Sequence, residues 1–459
     1  MTGTEFDVVI LGGGSGGYAA ALRGSQLGLS IALIEKDKLG GTCLHRGCIP
    51  TKALLHAAEV ADSARESSAI GVNATLHGID IVKVNEYRDG VVGRLYKGLQ
   101  GLVKSREVTY IEGTGTLTSA NTVDVNGTRY TARKAVVLAT GSYARSLPGL
   151  DIGGRVITSD QALQLEWIPA KVIVLGGGVI GVEFASVWRS FGSEVTIVEA
   201  LPRLVPNEDE ASSKALERAF RKRGIVSKTG VRFSGVTQSD AGVTVTLEGG
   251  ETLDADLLLV AVGRGPNATG MGYDTVGVGM DRGFVLTDER LATNVPGVYA
   301  VGDIVPGLQL AHRGFQQGIF VAEEIAGLNP RVIDELGIPK VTYCEPEVAS
   351  VGLSQAQAIE KFGAENVEAY EYNLGGNGKS QILGTAGFVK LVRQKDGPVV
   401  GMHMVGSRVG ELIGEGQLIV NWEAYPEDVA SLVHAHPTQN EALGEAFLAL
   451  AGKPLHAHS

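Results

Sequence analysis

Residues 8–17 read VVILGGGSGG, a short apolar run that opens into a cluster of glycines. A helical pattern follows as far as Gly28, and a second apolar run at residues 31–34 ends in Glu35. The order of strand, glycine turn, helix, strand and acid is the full context that a dinucleotide-binding βαβ unit requires. This segment therefore predicts a nucleotide site close to the start of the chain.

The same pattern occurs a second time. Residues 172–181 read VIVLGGGVIG, and after a helix ending near Gly192 the apolar run at residues 195–198 ends in Glu199. A single glycine motif is a weak signal that is often structural, whereas two complete copies with matched acids are specific. The chain is therefore predicted to bind two dinucleotides.

Each glycine of the motif has its own physical role. The first makes a tight turn, the second lets the backbone approach a pyrophosphate, and the third allows helix and strand to pack closely. Glu35 and Glu199 would accept hydrogen bonds from ribose hydroxyl groups. Because Glu199 would repel a 2′-phosphate, the second site is predicted to prefer NAD over NADP, although Arg203 leaves NADP open. The motif glycines are Gly12, Gly14 and Gly17 in the first copy and Gly176, Gly178 and Gly181 in the second.

The composition limits the class of protein. The chain has 459 residues and a formal net charge of −11, without a long run of Lys or Arg, which argues against nucleic acid or an anionic membrane as the main partner. No stretch approaches about 18 uninterrupted apolar residues, and the first residues lack the basic start of a signal peptide. A cytoplasmic protein without a membrane span is expected.

Three further apolar runs end near Gly141, Gly263 and Asp303, and they are typical of buried parallel strands whose carboxyl ends face ligands. Asp303 could bind a cofactor hydroxyl or cap a helix. We therefore expect an α/β protein with two three-layer, Rossmann-like dinucleotide-binding domains and a C-terminal α+β domain. The predicted division is a first dinucleotide domain at residues 1–148, a second at 149–270, a return to the first at 271–339, and the C-terminal domain at 340–459.

The C-terminal domain has a mixed pattern of elements. Helices are predicted at residues 354–362, 409–422 and 426–433, and the tail from residue 453 is expected to fray. Strands are predicted at residues 343–351, 387–392 and 399–405.

Two cysteines, Cys43 and Cys48, follow the first motif's acid. Thr42 as a cap and the apolar periodicity beyond place both in the first turns of one helix, where the helix start stabilises a thiolate. Residues five apart in an ideal helix have Cα atoms roughly 8–9 Å apart, whereas a disulfide tolerates about 4.4–6.8 Å. A bridged pair would therefore require a distorted helix, which Gly47 and Pro50 would permit.

Other interpretations of the thiols remain open at this point. The pair could be buried and inert, could form half of a zinc site, or could be a structural disulfide. Cys344 stands alone and is expected to pack as a small apolar residue.

A histidine near the end of the chain is a candidate base. His436 precedes Glu441 by five residues, and a carboxylate at that spacing could hold one ring nitrogen so that the other accepts a proton. A thiol substrate needs such a base, because the thiolate is the species that attacks a disulfide. An isolated histidine is otherwise more often a structural residue.

Together these features resemble the flavin-dependent pyridine nucleotide-disulfide oxidoreductases, and within them the branch that oxidises dihydrolipoamide. The likeness covers essentially the whole chain. It rests on the two glycine turns, residues 43–52, Ala139-Thr140-Gly141, Gly302-Asp303, and residues 436–441.

The resemblance implies a role for each reactive residue. Cys43 would exchange disulfides with the substrate, and Cys48 would face the flavin. His436 would be the base, oriented by Glu441. In relatives this histidine reaches the disulfide of the other subunit, so the resemblance implies a homodimer formed by the C-terminal domain.

The implied cofactors are FAD at the first site and NAD at the second. Lys52 would lie near the flavin and pair with Glu183 beside the nicotinamide. The implied FAD residues are Gly12, Gly14, Gly17, Glu35, Thr42, Lys52, Gly115, Thr140, Gly141, Asp303 and Ala311. The implied NAD residues are Gly176, Gly178, Gly181, Glu183, Glu199, Val231 and Gly263.

The implied activity is oxidation of protein-bound dihydrolipoamide to lipoamide with NAD⁺ in 2-oxo acid dehydrogenase complexes, with the lipoyl domain and the acyltransferase core as partners. A reductase for another low-molecular-weight disulfide, a quinone reductase and a non-catalytic subunit are the alternatives. His45-Arg46 and Gln439-Asn440 depart from the residues that relatives often carry near the substrate mouth. Arg46 is expected to depress a thiol pKa.

Overall fold

The first glycine motif organises a seven-stranded sheet in the computed structural model, which describes residues 4–456. The strand order is β3-β2-β1-β6-β5-β4, with β19 pairing beside β6. Parallel pairing joins β3, β2, β1, β6 and β19. An antiparallel extension of this sheet is formed by β4 and β5 beside β6. The elements of this first part are β1 (Glu5–Leu11), α1 (Ser15–Gln26), β2 (Ile31–Glu35), α2 (Gly41–Arg46), α3 (Cys48–Glu66), α4 (Ile81–Ser105), β3 (Thr109–Glu112), β4 (Gly115–Ser119), β5 (Thr122–Val125), β6 (Thr128–Leu138) and β7 (Ser142–Ala144).

The second motif organises a second parallel sheet of five strands in the order β11-β10-β9-β15-β8. A three-stranded antiparallel meander, β12-β13-β14, is attached to it. The elements are β8 (Val156–Ile157), α5 (Ser159–Ala162), β9 (Lys171–Leu175), α6 (Val179–Phe191), β10 (Glu194–Glu199), α7 (Glu210–Lys222), β11 (Val226–Thr229), β12 (Phe233–Ser239), β13 (Gly242–Leu247), β14 (Thr252–Ala255) and β15 (Leu257–Val260).

The chain then returns to the first sheet. Strand β16 pairs with β7, β19 joins β6, and α9 packs against α1. The elements are β16 (Arg264–Pro266), α8 (Tyr273–Val276), β17 (Met280–Asp281), β18 (Phe284–Val285), β19 (Val298–Ala300) and α9 (Ala311–Ile325).

The C-terminal part is built on an antiparallel sheet of five strands in the order β20-β21-β24-β23-β22. Helices α12 and α14 cover its apolar residues, and the buried cluster includes Met402, Met404 and Phe447. The elements are β20 (Lys340–Thr342), β21 (Glu347–Gly352), α10 (Gln355–Phe362), β22 (Val367–Asn373), α11 (Gly378–Leu383), β23 (Phe388–Gln394), β24 (Val399–Gly406), α12 (Val409–Asn421), α13 (Pro426–Ala430) and α14 (Glu441–Leu450).

The glycine turns have the same geometry in both copies. Gly12 and Gly176 have φ values of 108° and 112°, which glycine adopts without steric cost. A Cβ on Gly17 would lie 1.8 Å from the carbonyl oxygen of Gly12, and one on Gly181 would lie 1.9 Å from that of Gly176. The third glycine therefore allows the helix to pack directly on the turn.

Glycines also bring α1 and α9 together. A Cβ on Gly318 would lie 2.2 Å from the carbonyl oxygen of Gly16, and one on Gly314 would lie 2.8 Å from Oγ of Ser15. Because these positions lack side chains, the backbones of the two helices come into contact. This packing seats α9 against the first glycine turn.

The predicted fold class is confirmed, with some differences at element ends. The strand expected at residues 343–351 begins only at Glu347, and the helix expected at 426–433 ends at Ala430. Residues 453–456 have no regular helix or strand, and the rest of the predicted tail lies outside the described residues. Among residues 4–456, none of the helices is long and apolar enough to cross a membrane.

Replacing Gly181 with Ala is expected to destabilise the protein by at least about 2 kcal/mol, because the new methyl group would overlap a backbone oxygen that cannot move without opening the turn. The matched control is Gly98→Ala in α4, where a Cβ meets no atom within 4 Å. This substitution should raise the free energy of unfolding by about 0.5–1 kcal/mol. Thermal unfolding midpoints would measure both. Equal midpoints for the two variants would contradict the close approach.

Candidate active site

The two glycine turns each leave an open cradle at the start of a helix. Helix α1 follows Gly14 and α6 follows Gly178, and neither helix has a side-chain cap or an acidic residue in its first turn. A Cβ on Gly178 would meet no atom within 4 Å, and one on Gly14 would meet its nearest atom at 4.0 Å. Since N–H groups at a helix start stabilise an anion, both cradles fit a pyrophosphate.

The motif acids lie over these cradles in matching positions. Oε2 of Glu35 accepts a hydrogen bond from the N–H of Gly13 at 2.7 Å, and Oε2 of Glu199 accepts one from the N–H of Gly177 at 2.6 Å. The second oxygen of each acid accepts an N–H two residues further along the chain. The carboxylates are thus held at the strand ends, where a ribose of a bound dinucleotide would lie.

Arg203 is bound to its own loop. One terminal nitrogen of its guanidinium donates to the carbonyl oxygens of Pro206 at 2.7 Å and Glu208 at 3.0 Å. These bonds occupy the N–H groups of that nitrogen, which are then not available to bind a 2′-phosphate. The arrangement favours Glu199 as the group that decides between the two nicotinamide coenzymes.

Residues expected to contact FAD beyond the cradle come from several elements. Asp303 lies in a short 3-10 turn, Gly302–Ile304, and its Oδ2 accepts a hydrogen bond from Oγ of Ser142 at 2.5 Å. Helix α9 begins at Ala311 after Leu310, so the alternative interpretation of Asp303 as a helix cap is wrong.

Three other predicted FAD residues lie near the ends of strands. Thr140 and Gly141 follow β6, and Oγ1 of Thr140 donates to the carbonyl oxygen of Asn267 at 2.7 Å. Gly115 is buried at the start of β4, where a Cβ would lie 2.5 Å from the side chain of Leu11. The absence of a side chain at Gly115 therefore allows the sheet to pack closely there.

The predicted NAD residues beyond the second cradle also lie at strand ends. The N–H of Val231 donates to the carbonyl oxygen of Glu199 at 3.1 Å, and the carbonyl oxygen of Gly263, just after β15, accepts from the N–H of Arg145 at 3.0 Å. Glu183 lies one turn into α6. The parallel strands thus bring these residues to the carboxyl edge of the second sheet.

The two cysteines do not share one helix, so the prediction that both lie in the first turns of a single helix is wrong. The interruption falls at Gly47, one of the two residues expected to permit a distortion. Helix α2 ends before Gly47, whose φ and ψ of −147° and −112° break the helix, and Cys48 begins α3. Helix α2 starts after Gly40, so Thr42 lies inside it and does not cap it. The break brings the thiols of Cys43 and Cys48 close enough for each to shift the pKa of the other, which the spacing of a regular helix would prevent.

The local charges place the negative charge on Cys48. The hydrogen bond from Cys43 and the nearby ammonium of Lys52 outweigh burial and lower the pKa of Cys48 to about 7. The same hydrogen bond, together with burial, raises the pKa of Cys43 well above its usual range. Above about pH 7, the reduced pair therefore holds a proton on Cys43 and a thiolate on Cys48.

Lys52 is fixed by a carboxylate from the second sheet unit. Its Nζ lies 2.9 Å from both Oε1 and Oε2 of Glu183, whose side chain is only 3% exposed. Burial opposes the charge on Lys52, but Glu183 outweighs it and the pKa of Lys52 is raised. The ion pair therefore keeps the lysine cationic beside the thiols.

Sequence reasoning missed Tyr343, which completes this group. Its N–H donates to Oε1 of Glu183 at 3.0 Å, and its ring centroid lies 4.7 Å from Nζ of Lys52. A cation over an aromatic ring is stabilised by the ring's quadrupole. No local pattern marks Tyr343, because its partners come from segments that are far away in the chain.

The residues between the cysteines point away from the thiols. Arg46 forms a salt bridge of 3.0 Å with Asp37 in which both side chains are nearly half exposed, and Nε2 of His45 lies 2.8 Å from the carbonyl oxygen of Leu39. The cation that lowers the pKa values of both thiols is Lys52. Cys344 is buried, its Sγ donates to the carbonyl oxygen of Pro346 at 3.2 Å, and burial raises its pKa.

His436 and Glu441 form the predicted pair. Nδ1 of His436 lies 2.7 Å from Oε1 of Glu441, and Oε2 accepts the N–H of Thr438 at 2.8 Å. That N–H, with His436, lowers the pKa of Glu441. The imidazole is 80% exposed, and within residues 4–456 it makes no hydrogen bond to Cys43 or Cys48. Within one chain, the cysteine pair and the His436–Glu441 pair therefore form two separate sites.

Replacing Lys52 with Met should raise the apparent pKa of Cys48 from about 7 toward that of an ordinary thiol, because the cation favours the thiolate. Arg46→Val removes a positive charge of equal size but should leave the titration unchanged, because Arg46 pairs with Asp37. Ultraviolet thiolate absorbance of the reduced protein against pH would measure both. A shift in Arg46→Val equal to that in Lys52→Met would contradict the assignment.

The chain matches two family models. Residues 6–318 match the pyridine nucleotide-disulphide oxidoreductase family, and residues 338–447 match its dimerisation domain. Dihydrolipoyl dehydrogenase of Bacillus subtilis (strain 168) is 40% identical, with 99% of each chain covered. Leghemoglobin reductase of Vigna unguiculata is also 40% identical, covering 99% of this chain and 89% of that protein.

A solved structure agrees over the same length. The crystal structure of LpdA from Mycobacterium tuberculosis has a TM-score of 0.90 at 26% identity and covers 98% of this chain and 100% of that chain. Members of the matched family use FAD and NAD, and the two open cradles offer one site for each. The resemblance drawn from the motifs is confirmed, and the chain belongs to the pyridine nucleotide-disulphide oxidoreductase family.

Proposed function

We propose that this protein is a dihydrolipoyl dehydrogenase, which oxidises protein-bound dihydrolipoamide to lipoamide and reduces NAD⁺. The observation that carries the proposal is the thiol pair of Cys43 and Cys48 beside the Lys52–Glu183 ion pair, which joins the two dinucleotide cradles. The whole-length similarity to dihydrolipoyl dehydrogenases supports the same substrate.

FAD would be held at the first cradle by Glu35 and the N–H groups after Gly14, with Asp303 at its far end. NAD would be held at the second cradle by Glu199 and the N–H groups after Gly178. When bound, FAD supplies the relay that carries an electron pair from the thiols to NAD⁺. We propose that the other FAD and NAD residues implied by the resemblance line the same two sites.

The residues of this chain would carry out the thiol chemistry. His436 accepts a proton from one thiol of dihydrolipoamide, and the thiolate attacks Sγ of Cys43 in the oxidised Cys43–Cys48 pair. The disulfide breaks and Cys48 leaves as a thiolate, which Lys52 stabilises. The second substrate thiol then displaces Cys43, giving lipoamide. The cysteines thus receive two electrons from the substrate, and the two protons that the substrate releases reside on His436 and Cys43.

We further propose a homodimer in which His436 of one subunit serves the thiols of the other. The match to the dimerisation domain and the exposure of His436 away from its own thiols support this arrangement. The proposed external partners are the lipoyl domain and the acyltransferase core of a 2-oxo acid dehydrogenase complex. A cytoplasmic location is proposed as well, and it fits the free thiol of Cys344.

The domain division is part of the proposal. Boundaries after residues 148, 270 and 339 fall between β7 and β8, between β16 and α8, and between α9 and β20. Each boundary thus lies in a connecting segment, as domain boundaries usually do.

Replacing Cys43 with Ser should reduce dihydrolipoamide-dependent NAD⁺ reduction by at least about 10³-fold, because the attacked sulfur is absent. Electron transfer from NADH to an artificial quinone should stay within a few-fold of the wild type. The matched control, Cys344→Ser, should retain both activities, since a hydroxyl can also donate to Pro346. Wild-type protein that reduces quinones or a haem protein but not lipoamide would overturn the proposal.

Replacing His436 with Gln should lower lipoamide turnover by about 10²–10⁴-fold, as expected for loss of a general base. The control is His456→Gln, which removes another exposed His–Glu pair, with Nδ1 of His456 2.9 Å from Oε1 of Glu445. Steady-state rates at several pH values would measure both variants. Equal losses in the two variants would refute the role of His436.

A further inference from the structure

Helix α6 carries a row of polar side chains through an otherwise apolar interface. Glu183, Ser186 and Ser190 are all buried and lie on one face, because they are spaced three and four residues apart. We call these three residues the polar seam. Buried polar groups are stable only when their hydrogen bonds are made, and each of these three side chains has partners.

The partners of the polar seam come from different parts of the chain. Lys52 of α3 binds Glu183, and Oδ2 of Asp62, ten residues further along the same helix, accepts from Oγ of Ser190 at 2.6 Å. The N–H of Tyr343 donates to Glu183, and the N–H of Glu345 donates to Ser186 at 3.0 Å. The seam therefore faces both the cysteine-bearing helix and the segment leading into β21.

Arg223, the first residue after α7, binds both serines of the polar seam. One terminal nitrogen of its guanidinium donates to Oγ of Ser186 at 2.7 Å and to the carbonyl oxygen of Glu345 at 2.9 Å. The other donates to Oδ2 of Asp62 at 3.0 Å and to Oγ of Ser190 at 2.7 Å. All four terminal N–H bonds of the guanidinium are thus used.

We infer that Arg223 is a positioning residue for electron transfer between the flavin and NAD. It ties α6, which begins at the second cradle and carries Glu183, to α3, which carries Cys48 and Lys52. This inference rests on the proposed function. A misplacement of about 1 Å between reacting groups can slow a reaction by about 10²-fold. Electron transfer between the flavin and NAD involves both cradles, so its rate should depend on how firmly the polar seam holds α6 against α3.

The two halves of the reaction should depend differently on Arg223. The thiols, Lys52 and the first cradle belong to one sheet unit, whereas the second cradle belongs to the other. Helix α6 of the second unit meets α3 through the polar seam and the apolar side chains around it.

Loss of Arg223 would remove one hydrogen-bond donor each from Asp62, Ser186 and Ser190 and would loosen α6 on α3. Asp62 would keep its salt bridge with Arg65. Arg223 binds Ser186 and Ser190 but not Glu183, so the Lys52–Glu183 pair that serves the thiols keeps its own hydrogen bonds. The step that joins the two units is therefore the one expected to depend on Arg223.

The test compares Arg223→Ala and Arg223→Lys with Arg221→Ala in the full-length, FAD-loaded protein. Arg221 is exposed near the end of the same helix and supplies the matched loss of charge. Anaerobic stopped-flow absorbance would follow flavin reduction by NADH and, separately, by dihydrolipoamide. In Arg223→Ala the NADH step should slow by about 10-fold or more, while the dihydrolipoamide step should change by less than about 2-fold. Arg223→Lys should recover part of the rate, and Arg221→Ala should match the wild type.

A second readout does not depend on the cofactor. Hydrogen–deuterium exchange of the cofactor-free protein should increase at residues 183–190 and 343–345 in Arg223→Ala and remain unchanged in Arg221→Ala. If Arg223→Ala does not fold, Ser190→Ala removes one donor and one acceptor of the seam without changing charge, and should give the same selective slowing.

Equal changes in both half-reactions, or no change in either, would overturn the inference. These outcomes are distinct from failure of the proposed function. A wild-type protein that dihydrolipoamide does not reduce would overturn the proposed substrate, and the NADH step and the exchange measurement would still test Arg223.

Discussion

A single buried carboxylate, that of Glu183, connects the parts of this site. It accepts two hydrogen bonds from Lys52 and one from the backbone of Tyr343 while only 3% of its side chain is exposed. An ionised carboxylate at such a position is stable only with its partners in place, and leaving one unpaired costs up to about 3–5 kcal/mol. The structure therefore requires the cysteine-bearing helix, α6 and the segment before β21 to meet at this point.

The interaction between the two thiols, together with the cation that this carboxylate fixes, explains their asymmetry. Cys43 and Cys48 are neighbours in space, yet the pKa of one is raised and that of the other is lowered to about 7. The hydrogen bond between them and the position of Lys52 cause the difference. A pair with one thiol and one thiolate is prepared for stepwise disulfide exchange, in which one sulfur is attacked and the other leaves.

Much of the fold could be predicted because it depends on short spacings. The turn at Gly12 and the close approach at Gly17 involve residues that are adjacent in sequence, and the apolar runs before them are buried as expected. Some local predictions failed where one backbone conformation decided the outcome. The break at Gly47 ended a helix that periodicity would continue, and Arg46 pairs with Asp37 and not with a thiol.

The sequence by itself determined the two dinucleotide units, the reactive cysteine pair and the His436–Glu441 pair, since each is encoded by residues within a few turns of one another. Only the tertiary structure decided that Tyr343 and Arg223 complete the site and that His436 lies away from the thiols of its own chain. Tyr343 meets Glu183 across 160 residues and Arg223 meets Asp62 across 161 residues, so both contacts depend on the docking of separate sheet units. Neither propensity nor spacing specifies such contacts, because they form only when several buried surfaces pack at once.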